Sequence, residues 1–213
     1  MTRLASIDIG TNTARLLILE KKSDGGLIEL SQARAITRLG RGMNTGKKIL
    51  DDRIDKTISV LIKFRNECRK FEPLVIRAVA TSAVREADNQ KEFLLKIKKE
   101  VGLEVEVVPW EKEADLMVKG VLWKLPSVKR DLLAFDIGGG STEFILTRDK
   151  KIVSAVGTKL GTVRLTEKFI SQHPTDLNEY KALESYLRRE LNPVKAKLSA
   201  FSPEVLIGTA GTV

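Results

Sequence analysis

The sequence holds one cysteine, Cys68, and one histidine, His173, in 213 residues. An intrachain disulfide and a cysteine-based metal cluster are therefore excluded, and a reducing cytoplasm is the expected setting. His173 precedes Pro174 in a loop-like stretch and offers no partner for a triad or a zinc site, so it reads as a surface residue. No apolar run approaches the roughly 20 residues that cross a bilayer. The opening residues lack a basic stretch followed by an apolar one, so neither a membrane segment nor a signal peptide is expected. Aromatic residues make up only 5%, which leaves few platforms for stacking bases.

Charge of one sign is in excess: the formal net charge is +9. That balance points to an anionic partner. Lys and Arg are interleaved with Asp and Glu, as from Lys91 to Glu100, so nucleic acid is not the expected partner. A solvated Lys/Arg/Glu surface explains much of the charge, and a small polyanionic substrate accounts for the excess.

One phrase occurs twice. Asp8-Ile9-Gly10-Thr11-Asn12-Thr13 returns as Asp136-Ile137-Gly138-Gly139-Gly140-Ser141. Each copy is entered by an apolar strand and left by another, so each reads as strand, tight turn, strand. Glycines let the backbone approach a ligand, and successive N–H groups in such a turn form a nest for phosphate oxygens. Gly10, Thr11, Asn12 and Thr13, and Gly138, Gly139, Gly140, Ser141 and Thr142, are the expected phosphate-binding residues. Asp8 and Asp136 end the entering strands. In isolation each is better explained as a cap on its own turn. Repetition in register favours instead a pair of carboxylates that hold Mg²⁺ against phosphate oxygens in a cleft between two related halves.

Around these turns the pattern is α/β. Three strands (about Leu4 to Ile7, Ala14 to Glu20, Leu27 to Thr37) precede a Gly-rich loop from Gly40 to Gly46. Then come a helix from Asp51 to about Phe71, a strand at Val75 to Ala80, a helix from about Asn89 to Val101, a strand at Glu104 to Val108 and a helix from Glu111 to about Trp123. That order is ribonuclease H-like. After a boundary near residues 124 to 130 the plan restarts, with strands at Leu132 to Asp136, Glu143 to Thr147 and Ile152 to Gly157, helices at Thr162 to Ser171 and Leu177 to Leu198, and a strand at Val205 to Ile207. The expected domains are residues 1–123 and 131–213, the second short of elements that the first possesses.

Hydrolysis of a phosphoanhydride needs a group that orients or deprotonates water. Glu113 and Glu143 are the candidates. Glu111 and Glu113 lie roughly 200° apart on a helix, so only one can face a site, and Ala114 beside Glu113 permits close approach. Complementing the helix N-terminus is the competing role for both. Arg85, after Ala80-Thr81-Ser82-Ala83-Val84, is placed either to grip a phosphate bidentately or to pair with Glu86 at the surface. Arg38 is a weaker candidate of the same kind.

The Asp8 to Leu16 phrase, Ala80-Thr81-Ser82-Ala83-Val84-Arg85, Glu111-Lys112-Glu113-Ala114, Asp136 to Glu143, and Leu160-Gly161-Thr162-Val163-Arg164-Leu165-Thr166-Glu167 occur in this order. Together they resemble the exopolyphosphatase and guanosine pentaphosphate phosphohydrolase family of the actin, Hsp70 and sugar-kinase superfamily. The resemblance implies duplicated ribonuclease H-like lobes and metal-dependent release of terminal phosphate from inorganic polyphosphate or guanosine pentaphosphate, with guanosine tetraphosphate a further partner and a homodimer compatible with it. It implies Glu113 as the base, Asp136 and Glu143 as acidic residues assisting water and metal, Asp8 as the first-loop carboxylate, and Arg85 with the two turns on phosphate. Gly208, Thr209 and Gly211 resemble the superfamily's nucleotide loop. A polyphosphate or alarmone sensor without turnover, and a kinase-like phosphotransferase, are the alternatives. The chain departs from the family at Pro109-Trp110, where a small residue is common, and in length, since relatives usually continue past Gly208 to Thr212; a fragment or a truncated product is expected.

Overall fold

The computed structural model describes residues 2–71, 74–125 and 131–209. Their contacts divide into two compact units, Met1–Val108 and Pro109–Val213. The division falls ahead of the boundary expected between residues 123 and 131.

In the first unit β1 (Thr2–Ile9), β2 (Thr13–Lys21) and β3 (Leu27–Ile36) form an antiparallel meander, and β4 (Leu74–Ala80) and β5 (Val105–Val107) join it in parallel, in the order β3-β2-β1-β4-β5. Alternation decides which side is covered. Ala5, Ile7 and Ile9 on β1, and Ala14, Leu16 and Ile18 on β2, are all buried. Against that face lie α2 (Asp51–Arg69), through Ile54, Ile58, Leu61 and Phe64, and α4 (Gln90–Val101), through Phe93 and Ile97. Fully burying each such side chain contributes about 1.5 to 3 kcal/mol. The two antiparallel pairings followed by parallel, helix-connected strands give the ribonuclease H-like sheet read from the sequence.

Two short helices were not foreseen. α1 (Met43–Gly46) is one turn inside the expected Gly-rich loop, and α3 (Ser82–Glu86) forms where small residues were expected only to turn the chain. Both lie below the length at which periodicity can be read. Ser82, Ala83 and Val84 are buried, so packing stabilises α3.

The second unit opens with α5 (Trp110–Lys124) and repeats the meander in β6 (Leu132–Ile137), β7 (Thr142–Arg148) and β8 (Lys151–Thr158). After α6 (Thr162–Phe169) and α7 (Leu177–Leu198), β9 (Val205–Thr209) pairs in parallel with β6, in the order β8-β7-β6-β9. The expectation that α5 closes the first domain is corrected by its packing: Ala114 and Val118 cluster with Ile145 of β7, and Val121 with Leu132 and Ala134 of β6. At the start of α7, Asp176 accepts from the backbone N–H groups of Asn178 and Glu179 while Glu179 reaches back to the Asp176 N–H, a capping box. Among the described residues no helix is long and apolar enough to cross a membrane.

Phe93 is fully buried between α4 and the sheet. Phe93→Ala is expected to destabilise the first unit by about 3 to 5 kcal/mol, and Ile97→Val by about 0.5 to 1.5 kcal/mol, in chemical denaturation.

Candidate functional site

Each repeated phrase folds into the same closed turn. Gly10 N–H donates to the Thr13 carbonyl at 3.1 Å, and Gly138 N–H donates to the Ser141 carbonyl at 2.9 Å. The carbonyls inside each turn are taken up from behind. In the first unit the Gly40 N–H bonds the Thr11 carbonyl at 2.8 Å, and the Thr37 and Arg38 N–H groups both bond Asn12 at 3.0 Å. In the second, the first N–H groups of α6 do this work: Thr162 bonds the Gly138 carbonyl at 2.9 Å and Val163 that of Gly139 at 2.9 Å, while Arg164 Nε bonds that of Gly140 at 3.1 Å. Helix N-terminal donors that would otherwise lack partners are thus satisfied by the loop. With these carbonyls engaged by the protein, the backbone of each turn is held in one conformation, a precondition for an anion nest. Thr142 reinforces the second turn, its hydroxyl donating to the Leu160 carbonyl at 2.6 Å.

The segments behind the turns are themselves a repeat that sequence reasoning missed: Thr37-Arg38-Leu39-Gly40 and Thr158-Lys159-Leu160-Gly161. Leu39 and Leu160 are both buried. A Cβ on Gly40 would lie 2.4 Å from Thr11 Cγ2, and one on Gly161 would lie 2.3 Å from the Gly139 oxygen. At Gly161 only glycine lets the segment press against its turn, whereas at Gly40 a Cβ would require the Thr11 methyl to shift. The signal was legible as a four-residue phrase recurring at the end of each third strand.

The carboxylates separate by unit. Asp136 and Glu143 are direct cross-strand partners on β6 and β7, so their side chains stand on one face of the sheet. Glu143 is buried, as is Oδ1 of Asp136. The same cross-strand row continues to Gly157 on β8 and Thr209 on β9. The Trp110 ring covers Gly157, where an added Cβ would sit 3.3 Å from the indole. That contact seats the first turn of α5 on the face that carries Glu143 and Asp136, and Glu113, one turn on from Trp110, shares the helix side that faces it. Glu113 is half-buried and Glu111 exposed, which selects Glu113 of the two. In the first unit Asp8 stands opposite Arg15 on β2. Arg85, half-buried on α3, donates from Nη1 to the Val108 carbonyl at 2.8 Å, which anchors its guanidinium at the end of the unit rather than leaving it a loose surface group.

Among the described residues no three Asp, Glu, His or Cys side chains form a metal-holding group. The Asp136 and Glu143 pair still suits Mg²⁺, which is usually held by one or two carboxylates together with waters and substrate phosphates. Of the nucleotide-loop-like residues, Gly208 and Thr209 lie in β9, the latter beside Asp136; Gly211 lies outside the described residues.

The Ppx/GppA phosphatase family model matches residues 17–213. A bifunctional 3-dehydroquinate synthase/phosphatase of Fusobacterium nucleatum is 36% identical over 98% of this chain and 32% of its own length. Exopolyphosphatase 2 of Mycobacterium tuberculosis is 29% identical over 100% of this chain and 69% of its own. The crystal structure of an exopolyphosphatase from Cytophaga hutchinsonii superposes with a TM-score of 0.92 at 32% identity, over 99% of this chain and 67% of that one. The fold and its paired turns define a duplicated ribonuclease H-like architecture. The chain belongs to the Ppx/GppA phosphatase family, and spans about a third of the Fusobacterium protein and about two thirds of the exopolyphosphatases.

The glycine contacts rank two substitutions. Gly161→Ala drives a methyl into backbone and should cost about 1 to 3 kcal/mol in chemical denaturation. Gly40→Ala meets only the Thr11 methyl, which rotation about χ1 can move aside, and should cost less.

Proposed function

We propose that the chain carries the phosphate-binding and catalytic residues of a phosphohydrolase that releases the terminal phosphate of inorganic polyphosphate, with guanosine pentaphosphate as the alternative substrate. The observation that carries this reading is the row on the second sheet in which Asp136 and Glu143 stand side by side behind a Gly turn, with the Glu113 turn of α5 seated over the same face. Names of relatives agree with it, since exopolyphosphatases match over nearly the whole chain.

The chemistry follows from the donor set. In each turn the inner residues, Thr11 to Thr13 and Gly139 to Ser141, supply backbone N–H groups and hydroxyls to phosphate oxygens, while Gly138 and Thr142 close and brace the second turn; Arg85 adds a guanidinium whose planar fork suits phosphate. Asp136 and Glu143 would hold Mg²⁺, with Asp8 the corresponding carboxylate of the first turn. Bound there, the ion supplies neutralisation of the negative charge that grows on the phosphate oxygens. Glu113 orients a water and takes its proton as the water oxygen bonds to the terminal phosphorus. The bridging P–O bond breaks, its electron pair leaves with the shortened chain, and orthophosphate is released.

Glu113→Gln should lower kcat for phosphate release from polyphosphate with Mg²⁺ by about 10² to 10⁴ while leaving polyphosphate affinity near that of the wild type. An unchanged rate removes Glu113 from the role. Binding without release by the wild type would mark the chain as a sensor. Asp136→Asn should raise the Mg²⁺ concentration needed for half-maximal rate, read from a metal titration at saturating substrate.

A further inference from the structure

The second turn takes its shape from the start of α6, and one of the bonds that hold it comes from a side chain. The Gly138 carbonyl accepts from Thr162 N–H at 2.9 Å, the Gly139 carbonyl from Val163 N–H at 2.9 Å and Arg164 N–H at 3.3 Å, and the Gly140 carbonyl from Nε of Arg164 at 3.1 Å. All these donors belong to the first turn of one helix. The three peptide bonds that follow these carbonyls are trans, and in a trans peptide the N–H points opposite to the C=O. Carbonyls drawn towards α6 therefore turn the N–H groups of Gly139, Gly140 and Ser141 away from it, three successive donors facing one way. No backbone carbonyl among the described residues accepts from any of the three. The first turn is held differently. There the carbonyl that matches Gly140's, that of Asn12, accepts two backbone N–H groups, from Thr37 and Arg38. In the second turn the matching peptide depends on the Arg164 guanidinium, and Gly140 is buried, so its carbonyl has little solvent to turn to.

We infer that Arg164 is a positioning residue: by holding the Gly140 carbonyl it aims the Ser141 N–H, the third donor of the nest, at the phosphate oxygens that the turn binds. The inference rests on the phosphohydrolase reading above and deepens it, naming the side chain on which one donor of the phosphate site depends. In this role Arg164 acts through the Gly140–Ser141 peptide and not by contact with substrate. Donors that are preset need no reorganisation when an oxyanion arrives. Without the guanidinium, a peptide that follows a glycine meets little steric resistance to rotation, and its N–H is free to leave the common direction.

The test follows the three amides one by one by NMR. In the whole, isotope-labelled 213-residue chain, titration of the wild type with inorganic phosphate should shift the amide resonances of Gly139, Gly140 and Ser141. Arg164→Met keeps an unbranched stem and removes the donor. In that variant the Ser141 shift should be lost while those of Gly139 and Gly140 persist, because Thr162 and Val163 still hold the two preceding peptides. Its phosphate affinity should fall about three- to tenfold. Arg164→Lys, whose ammonium can reach the same carbonyl, should restore most of the Ser141 shift. A Ser141 response in Arg164→Met equal to that of the wild type overturns the inference and leaves the phosphohydrolase reading intact. So does loss of the response at all three amides together with a lowered melting temperature, in Arg164→Met and Arg164→Lys alike, since that marks a residue the whole turn needs for its fold. A wild type in which none of the three amides responds to phosphate overturns the nest on which both readings stand.

Discussion

The constraint on which the candidate site depends is the capture of turn carbonyls by backbone N–H groups arriving from behind. A Gly-rich turn left to itself has many conformations, and holding one of them costs entropy that glycine makes larger than any other residue would. Here that cost is offset by bonds rather than by side-chain packing. Thr37, Arg38 and Gly40 hold the first turn, and the opening residues of α6 hold the second. The second solution is the tighter. Thr162 and Val163 would have unsatisfied N–H groups as the first residues of a helix, and the turn carbonyls would be unsatisfied as part of an irregular loop. Each set meets the other's need. Glycine at 40 and 161 is the condition for this approach, and it is why the two clamps share a sequence although they are followed by different elements.

The two copies then diverge in charge. Seven residues after each Asp, where the cross-strand partner falls, the first copy has Arg15 and the second Glu143. An Asp facing an Arg is close to neutral. Two carboxylates directly opposite, one of them buried, repel each other, and a shared cation or proton relieves that repulsion. One repeated turn thus carries an acid–base cross-strand pair in the first unit and two carboxylates in the second. No change of fold is needed for the division, only one residue at one register position.

Most of the architecture was legible because it rests on signals of period two or 3.6. Alternation in β1 and β2, the apolar stripe of α2 and the repeated Asp-Ile-Gly phrase lie within the range that side-chain spacing can encode. What escaped was short or long-range. α1 and α3 are too brief to show a period. The Thr-Arg/Lys-Leu-Gly repeat escaped because its importance lies in bonds and close contacts to a turn 16 or more positions away, which composition does not advertise. The domain boundary was misplaced for a physical reason: Pro and the basic pair after residue 125 mark a turn in the chain, but the apolar face of α5 matches Ile145, Leu132 and Ala134, which only tertiary packing could reveal.

The reassignment of α5 changes the meaning of Trp110. From the sequence it was a bulky departure at a position where relatives commonly have a small residue, and so a threat to access. In the fold its ring lies on Gly157, the one position on that row with no side chain to displace it. The two residues are complementary in volume: a large group on the helix requires a glycine on the strand, and a glycine in a strand interior otherwise weakens the sheet. Because Gly157, Glu143 and Asp136 are successive partners across three strands, anchoring Trp110 on the first sets the height and rotation of the helix over the other two. Glu113, one turn further on, inherits that placement. The bulky residue is therefore better understood as the contact that fixes the proposed base over its carboxylate pair, and rigid packing of this kind is what a proton-transfer group needs to keep its geometry from one turnover to the next.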